Sequence, residues 1–135
     1  MSAITPLKLA WVIVYVPEID RALTVYEEAF GLTRTFITPD ETYGELDTGG
    51  TTLAFAHDDL GARNFPGGPR RPSLDEQPAN VELAFTTEDV PAGVERALAA
   101  GCTLLAAPEK KPHGQTVAWI RDPWGTLIEV ATPIG

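Results

Sequence analysis

The pattern of apolar positions in the first half of the chain predicts a strand followed by an amphipathic helix. The run from Leu9 to Val16 is apolar and rich in Val and Ile, which is typical of a buried strand. Asp20 is a candidate N-cap for a helix, and Gly31 is a candidate residue for its C-terminal stop. Apolar residues recur between them at helical spacing, namely Ala22, Val25, Tyr26, Ala29 and Phe30.

Shorter apolar segments predict three strands after this helix. The turn residues Pro39-Asp40 and Gly49-Gly50 separate these segments. The predicted strands cover residues 32–38, 42–48 and 51–57. The first half of the chain is therefore predicted to have the order strand, helix, strand, strand, strand.

The second half of the chain repeats this order. A strand is predicted over Val81–Thr86, and Asp89 is the predicted N-cap of a helix that has Pro91 in its first turn. Gly101 is predicted to end that helix. The last three strands are predicted at 102–106, 115–121 and 126–131, and the final two are joined by a turn at residues 122–125.

Equal spacings in the two halves support a duplicated module. Glu18 lies thirteen positions before Gly31, and Glu88 lies thirteen positions before Gly101. One such module cannot bury both faces of its sheet alone, so pairing two modules is physically sensible. We therefore predict an α+β fold with two βαβββ modules in one chain. The predicted boundaries are 1–57 for the first module, 58–79 for a connecting loop rich in Pro and Gly, and 80–135 for the second module.

Charge and cysteine content limit the classes of partner. The formal net charge of −9 opposes binding to nucleic acid or to an anionic membrane surface, whereas it favours a cationic ligand or simply keeps the surface soluble. No apolar run is long enough to span a membrane. Cys102 is the single cysteine, so no internal disulfide can form, which is typical of a protein in the reducing cytoplasm.

Two stretches of the sequence carry a resemblance to a known superfamily. They are Val14–Leu23 (VYVPEIDRAL) followed by Phe30-Gly-Leu32, and Lys111–Glu129 (KPHGQTVAWIRDPWGTLIE). With the doubled module, they make the chain resemble the vicinal oxygen chelate superfamily, which includes glyoxalase I, extradiol dioxygenases, and the fosfomycin and bleomycin resistance proteins. The resemblance implies curled mixed sheets, two modules that enclose a cavity, and a homodimer that closes each cavity.

The resemblance also implies four positions that hold a metal ion in metal-dependent members. They fall on Trp11, Ala54, Glu82 and Glu129, with Val81 as the alternative to Glu82 if the strand slips by one residue. Trp11 and Ala54 cannot ligate a metal. Two carboxylates without histidine form at best a weak site for Mg²⁺ or Mn²⁺, so we expect no cofactor, with a divalent metal at Glu82 and Glu129 as the alternative.

The acids Glu82 and Glu129 are expected to lie on one face, because alternation along each strand places them opposite the core positions. Without a cation they repel each other, and one of them then holds a proton near neutral pH, as a general acid or base does. In the other interpretation the cavity is wet and both acids are ionised, or a basic group such as Arg121 pairs with one of them.

Aromatic residues and two histidines complete the candidate site. The residues predicted to bind a ligand, besides the two acids, are Trp11, Tyr15, His113 and Trp124. Aromatic walls with few polar groups are typical of a pocket for a flat or amphipathic molecule, although core packing also explains such residues. Strand alternation leaves the face of Trp119 ambiguous. His57 could reach the rim of the cavity, but its position at a strand end is more typical of a capping residue.

Three functions are compatible with these residues. The first is metal-free binding of a small organic ligand, cationic or aromatic, as in the bleomycin resistance branch that the chain resembles. The second is a lyase, isomerase or dioxygenase that uses a divalent metal and a degenerate ligand set. The third is a metal-free enzyme with Glu129 as the general base.

Overall fold

The computed structural model of the chain describes residues 4–134. It contains two compact units, one made of the residues up to Leu23 together with Leu32–Pro69, and the other made of Thr24–Gly31 and the residues from Arg70 onward. The boundary between the units therefore runs through the first helix, α1, which spans Ile19–Phe30.

The first unit contains a four-stranded mixed sheet with the order β1-β4-β3-β2. Its strands are β1 (Trp11–Val16), β2 (Thr33–Ile37), β3 (Tyr43–Asp47) and β4 (Thr52–His57), and a short helix, α2 (Asp58–Asn64), follows them. Strands β1 and β4 are parallel, with Ile13 opposite Ala54, whereas the other pairs are antiparallel.

The second unit contains an equivalent sheet with the order β5-β8-β7-β6. Its elements are β5 (Glu82–Thr86), α3 (Val90–Ala99), β6 (Thr103–Lys110), β7 (Thr116–Arg121) and β8 (Leu127–Ala131). Here β5 and β8 are the parallel pair, with Ala84 opposite Glu129. The predicted α+β fold with a doubled βαβββ module is confirmed.

Strand alternation places the core as predicted. Val16 is fully buried at the end of β1, whereas Trp11 and Ile13 on the other face are exposed. On β8 the buried residues are Ile128 and Val130. Each sheet therefore has one face in the core. The opposite face, called the open face below, carries four of the residues predicted to bind a ligand, namely Trp11, Tyr15, Glu82 and Glu129.

Capping residues set the helix ends. Asp89 accepts a hydrogen bond from the amide of Ala92 and is the N-cap of α3, as predicted. Gly31 ends α1 with a φ of 69°, a left-handed conformation that glycine adopts without strain. Asp20 is not the N-cap of α1, because it lies inside the first turn, where its carboxylate binds Arg34 at 2.7 Å.

The segment 58–79, predicted to be a loop, begins with helix α2. His57 caps this helix, because its Nδ1 accepts a hydrogen bond of 3.1 Å from the amide of Asp59. The helix has only seven residues, too few to produce a clear apolar period, and the Pro and Gly residues lie mainly after it. Within residues 4–134, none of the helices is long and apolar enough to cross a membrane.

Candidate functional site

The two predicted acids lie on the open face of the second sheet. Glu82 is opposite Leu127, and Ala84 is opposite Glu129, so the acids are diagonal neighbours on adjacent strands. In the first sheet Trp11 is opposite Thr52, and Ile13 is opposite Ala54. Trp11 and Ala54 therefore have the same relative positions in the first sheet as Glu82 and Glu129 have in the second sheet. This favours Glu82 over Val81 as the residue that corresponds to Trp11.

The two acids are close enough for Glu82 to change the pKa of Glu129. A hydrogen bond to Glu82, partial burial and the charge of Glu82 raise the pKa of Glu129 to about 7, and the positive charge of His113 opposes this shift. Two carboxyl groups can share a hydrogen bond only if one of them is protonated. The raised pKa of Glu129 favours the interpretation in which one acid holds a proton near neutral pH.

The indole of Trp119 contacts one of the two acids. The residue lies opposite Glu129 in the pairing of β7 and β8, and its indole Nε1 donates a hydrogen bond of 3.1 Å to Glu82 Oε1. The ring of Trp119, whose side was ambiguous in the sequence, therefore belongs to the open face.

The hairpin between β6 and β7 brings two basic side chains to this face. The Lys111 ammonium lies 5.9 Å from the centroid of the Trp119 ring, and it also pairs with Glu109 at 3.5 Å. His113 Nε2 forms a hydrogen bond of 2.7 Å with Gln115 Oε1, so the hairpin holds the ring in place. A ligand that stacks on Trp119 has to compete with Lys111 for that ring.

Arg121 does not pair with either acid. Its guanidinium donates to three backbone carbonyls, those of Ser73, Glu76 and Gly125, at 2.8 to 3.0 Å, and the residue is only 6% exposed. The sequence-based alternative in which Arg121 neutralises an acid is wrong. The carbonyls of residues 73–76 bind the guanidinium instead, so Arg121 holds this segment at one end of the sheet.

The turn after Arg121 contains Trp124, another predicted ligand-binding residue. The carboxylate of Asp122 accepts hydrogen bonds of 2.9 Å from the amides of Trp124 and Thr126, which shapes the turn. Because Leu127 is opposite Glu82, this turn is at the Glu82 end of the sheet, whereas the hairpin with His113 is at the other end. Trp124 and His113 are therefore placed at opposite ends of the same sheet.

The open face of the first sheet holds a carboxylate that sequence reasoning missed. Glu45 Oε2 accepts hydrogen bonds from Trp11 Nε1 at 3.1 Å and from the Tyr43 hydroxyl at 2.6 Å. Alternation along β3, which places Tyr43 and Glu45 opposite Gly44 and Leu46, was the available signal. Tyr15 is on the same face of β1 and makes an edge-to-face contact with Phe65 at 6.1 Å.

Comparison with known proteins identifies the family. A model described as the Glyoxalase/Bleomycin resistance protein/Dioxygenase superfamily matches residues 8–130. The chain belongs to this superfamily. The resemblance seen in the sequence is thus confirmed, and no match was found among curated proteins.

Solved structures of superfamily members have the same fold. A glyoxalase-related enzyme from Fulvimarina pelagi is 23% identical, with a TM-score of 0.80 over 95% of this chain and 92% of that chain. A lactoylglutathione lyase from Agrobacterium tumefaciens is 21% identical, with a TM-score of 0.67 and 95% of each chain covered. TioX from Micromonospora sp. ML1 is 21% identical, with a TM-score of 0.69 over 94% and 99% of the two chains. At these identities the likeness shows the fold alone.

The superfamily positions that hold a metal in its metal-dependent members do not fit a tight metal site in this chain. In the first unit they are an indole and a methyl group, those of Trp11 and Ala54. In the second unit they are Glu82 and Glu129, which are two carboxyl groups without a histidine. Across residues 4–134 there is no group of three or more His, Cys, Asp or Glu side chains placed to hold one ion. A tight divalent site needs three or four such ligands.

Proposed function

We propose that the protein binds a small organic ligand, cationic or aromatic, on the open face of the second sheet without using a metal ion. Glu82 and Glu129 bind the polar or charged group of the ligand, and Trp119 offers a flat apolar surface beside them. The observation that carries this proposal is the carboxyl pair next to an indole, on a face that is not packed into the core.

The charge of the site favours a cation. The acid pair has one negative charge when it shares a proton, and a second charge appears when that proton leaves. The chain as a whole has a net charge of −9, which attracts cations over longer distances. Both the local and the overall charge therefore favour a ligand with an amine or guanidine group joined to a flat ring.

Calorimetric titration with a panel of cationic aromatic compounds and their uncharged analogues tests this proposal. We expect the cations to bind more tightly than the analogues. We also expect Glu82→Gln to lower the affinity for the cations by roughly tenfold, which is the effect of losing one charged contact. Glu95→Gln, which removes an exposed acid of α3, is the matched control. Equal affinities in the wild type and the Glu82 variant, for every compound that binds, would refute the proposal.

A second function is favoured by one observation, the pKa of about 7 for Glu129. A general acid or base is most effective when its pKa is close to the working pH. Glu129 could then transfer a proton to or from a bound substrate without a metal. Incubation in D₂O with compounds that carry an acidic C–H bond tests this function, because exchange of that hydrogen for deuterium is visible by NMR. Exchange should be lost in Glu129→Gln, and equal exchange in both proteins would exclude this role.

Other sequence-based predictions remain part of the proposal. Trp11, Tyr15, His113 and Trp124 are proposed ligand contacts, the assembly is proposed to be a homodimer, and the location is proposed to be the cytoplasm. Light scattering coupled to gel filtration tests the assembly. A mass close to twice the 14.5 kDa of one chain is expected, and a mass of one chain at micromolar concentration would contradict a stable dimer.

A further inference from the structure

The hairpin turn that follows β6 fixes the backbone of Lys111. The amide of Lys111 donates a hydrogen bond of 2.7 Å to the carbonyl of Gln115, and its carbonyl accepts one of 2.9 Å from the amide of Gly114. Pro112 restricts the next position of the turn, and Gly114 has a φ of 107°, which glycine adopts without strain. The point from which the Lys111 side chain starts is therefore well defined.

The side chain of Lys111 brings its ammonium group to the ring of Trp119. The distance of 5.9 Å from Nζ to the ring centroid is within the range of a cation–π interaction. The Lys111 side chain is only 33% exposed, which is low for a lysine, whereas its ion-pair partner Glu109 is 69% exposed. An ion pair with such an exposed acid adds little, so the ammonium is held at this ring by weak contacts that a ligand can replace.

The same ring is the flat surface proposed for the ligand. Trp119 donates its indole N–H to Glu82 and lies opposite Glu129, so a cation over the ring is beside both acids. Trp119 is only partly exposed, which limits the part of the ring that Lys111 and a ligand can use. All of these residues belong to the unit that includes the chain from Arg70 onward. A basic side chain of the protein therefore already occupies the position of a cationic ligand.

We propose that Lys111 is a specificity-determining residue that competes with cationic ligands for the ring of Trp119, an inference that rests on the function proposed for this face. A ligand cation has to replace an existing cation–π interaction, so it gains less from the ring than it would at a free one. The displaced ammonium stays nearby on its hairpin and repels the ligand. Lys111 therefore excludes cations that only stack on Trp119, and it selects those that also form an ionic contact with Glu82.

NMR titration of the full chain with benzyltrimethylammonium tests the proposal, with benzyl alcohol as the uncharged aromatic compound. The affinity of each compound is read from the indole N–H signal of Trp119. We expect Lys111→Gln to raise the affinity for the ammonium ion about threefold to tenfold, and to change the affinity for the alcohol less than about twofold. In the wild type, the ring of Trp119 shields the methylene protons next to the Lys111 ammonium, and saturation with the ammonium ion should remove this shielding.

Lys110→Gln is the matched control, because it removes the same charge from the adjacent, exposed position at the end of β6. It should change the affinity for the ammonium ion less than about twofold, as expected for a solvated surface charge. Equal affinities in the wild type and Lys111→Gln, or an equal gain in Lys110→Gln, would overturn the role of Lys111 and leave the proposed function standing. An equal gain for benzyl alcohol would also overturn it, because the effect would then not depend on charge. A Trp119 signal that the ammonium ion moves in neither the wild type nor Lys111→Gln would overturn both proposals.

Discussion

The hydroxyl of Tyr26 donates a hydrogen bond of 2.7 Å to Asp122 Oδ2, and both residues are fully buried. Tyr26 lies on α1 and Asp122 begins the turn between β7 and β8, 96 positions later in the chain. The other oxygen of the carboxylate binds two amides of the turn. Burial is the main cause that raises the pKa of Tyr26, followed by the charge of Asp122, so the hydroxyl remains a donor.

Replacing Tyr26 by Phe should therefore destabilise the protein. The change leaves one oxygen of a buried carboxylate without its partner, which costs about 1–3 kcal/mol. Urea unfolding followed by circular dichroism measures the loss. Tyr15→Phe is the control, because the Tyr15 hydroxyl has no hydrogen-bond partner among residues 4–134. A loss of the same size in both variants would show that the bond to Asp122 is not the cause.

Replacing Arg121 by Lys should destabilise the protein and loosen residues 73–76. Lysine keeps the charge but cannot bind three carbonyls in the geometry of a guanidinium, so a loss of about 2–4 kcal/mol is expected. Amide hydrogen exchange should increase at residues 73–76. Arg70→Lys is the control, because Arg70 forms an exposed ion pair with Glu76 that contributes less than about 1 kcal/mol. Unchanged exchange in the Arg121 variant would contradict the role assigned to the guanidinium.

Glu129 should make the folded state less stable as the pH rises from about 4.5 to about 7. The unfolded chain releases this proton near the ordinary pKa of a glutamic acid, whereas the folded protein keeps it until a higher pH, so the folded state binds more protons in this window. The free energy of unfolding of Glu129→Gln, relative to the wild type, should increase by about 1 kcal/mol across the window, after allowance for solvent screening. Denaturant unfolding at several pH values gives this difference, and parallel curves for the two proteins would disprove it.

Replacing His57 by Ala should weaken helix α2 selectively. The change removes the acceptor for the amide of Asp59, which costs about 0.5–1 kcal/mol at an N-cap. Hydrogen exchange should become faster at residues 58–64 and stay the same in β5. Because Asn is also a good N-cap residue, His57→Asn should retain most of the protection. Fast exchange in both variants would point to a role for the imidazole other than capping.

Strand alternation was sufficient to predict most of the fold and part of the site. It placed Glu82 and Glu129 on one face because both strands have a clear change between apolar and polar positions. It failed for Trp119, because β7 has buried residues on both faces and shows no alternation. The side of an aromatic residue in such a strand is decided by its hydrogen-bond partner, here Glu82, which lies 37 positions away.

Other residues were missed because their importance depends on distant partners. Glu45 is one of many acids in the chain, and only the positions of Trp11 and Tyr43 distinguish it from the others. The role of Asp122 likewise depends on Tyr26 in the first half of the chain. A single sequence contains no direct information about such pairs, whereas local spacing is sufficient for helix caps such as Asp89.

Cys102, the single cysteine of the sequence, is only 7% exposed, and burial followed by the charge of Asp122 raises the pKa of its thiol to about 12. A thiol in this state is almost never a thiolate at neutral pH, so maleimide and iodoacetamide reagents react with it very slowly. A cysteine introduced at an exposed position can therefore receive a fluorophore or a spin label while Cys102 stays in place. The native protein is suited to distance measurements between chosen positions without prior removal of its own sulfhydryl group.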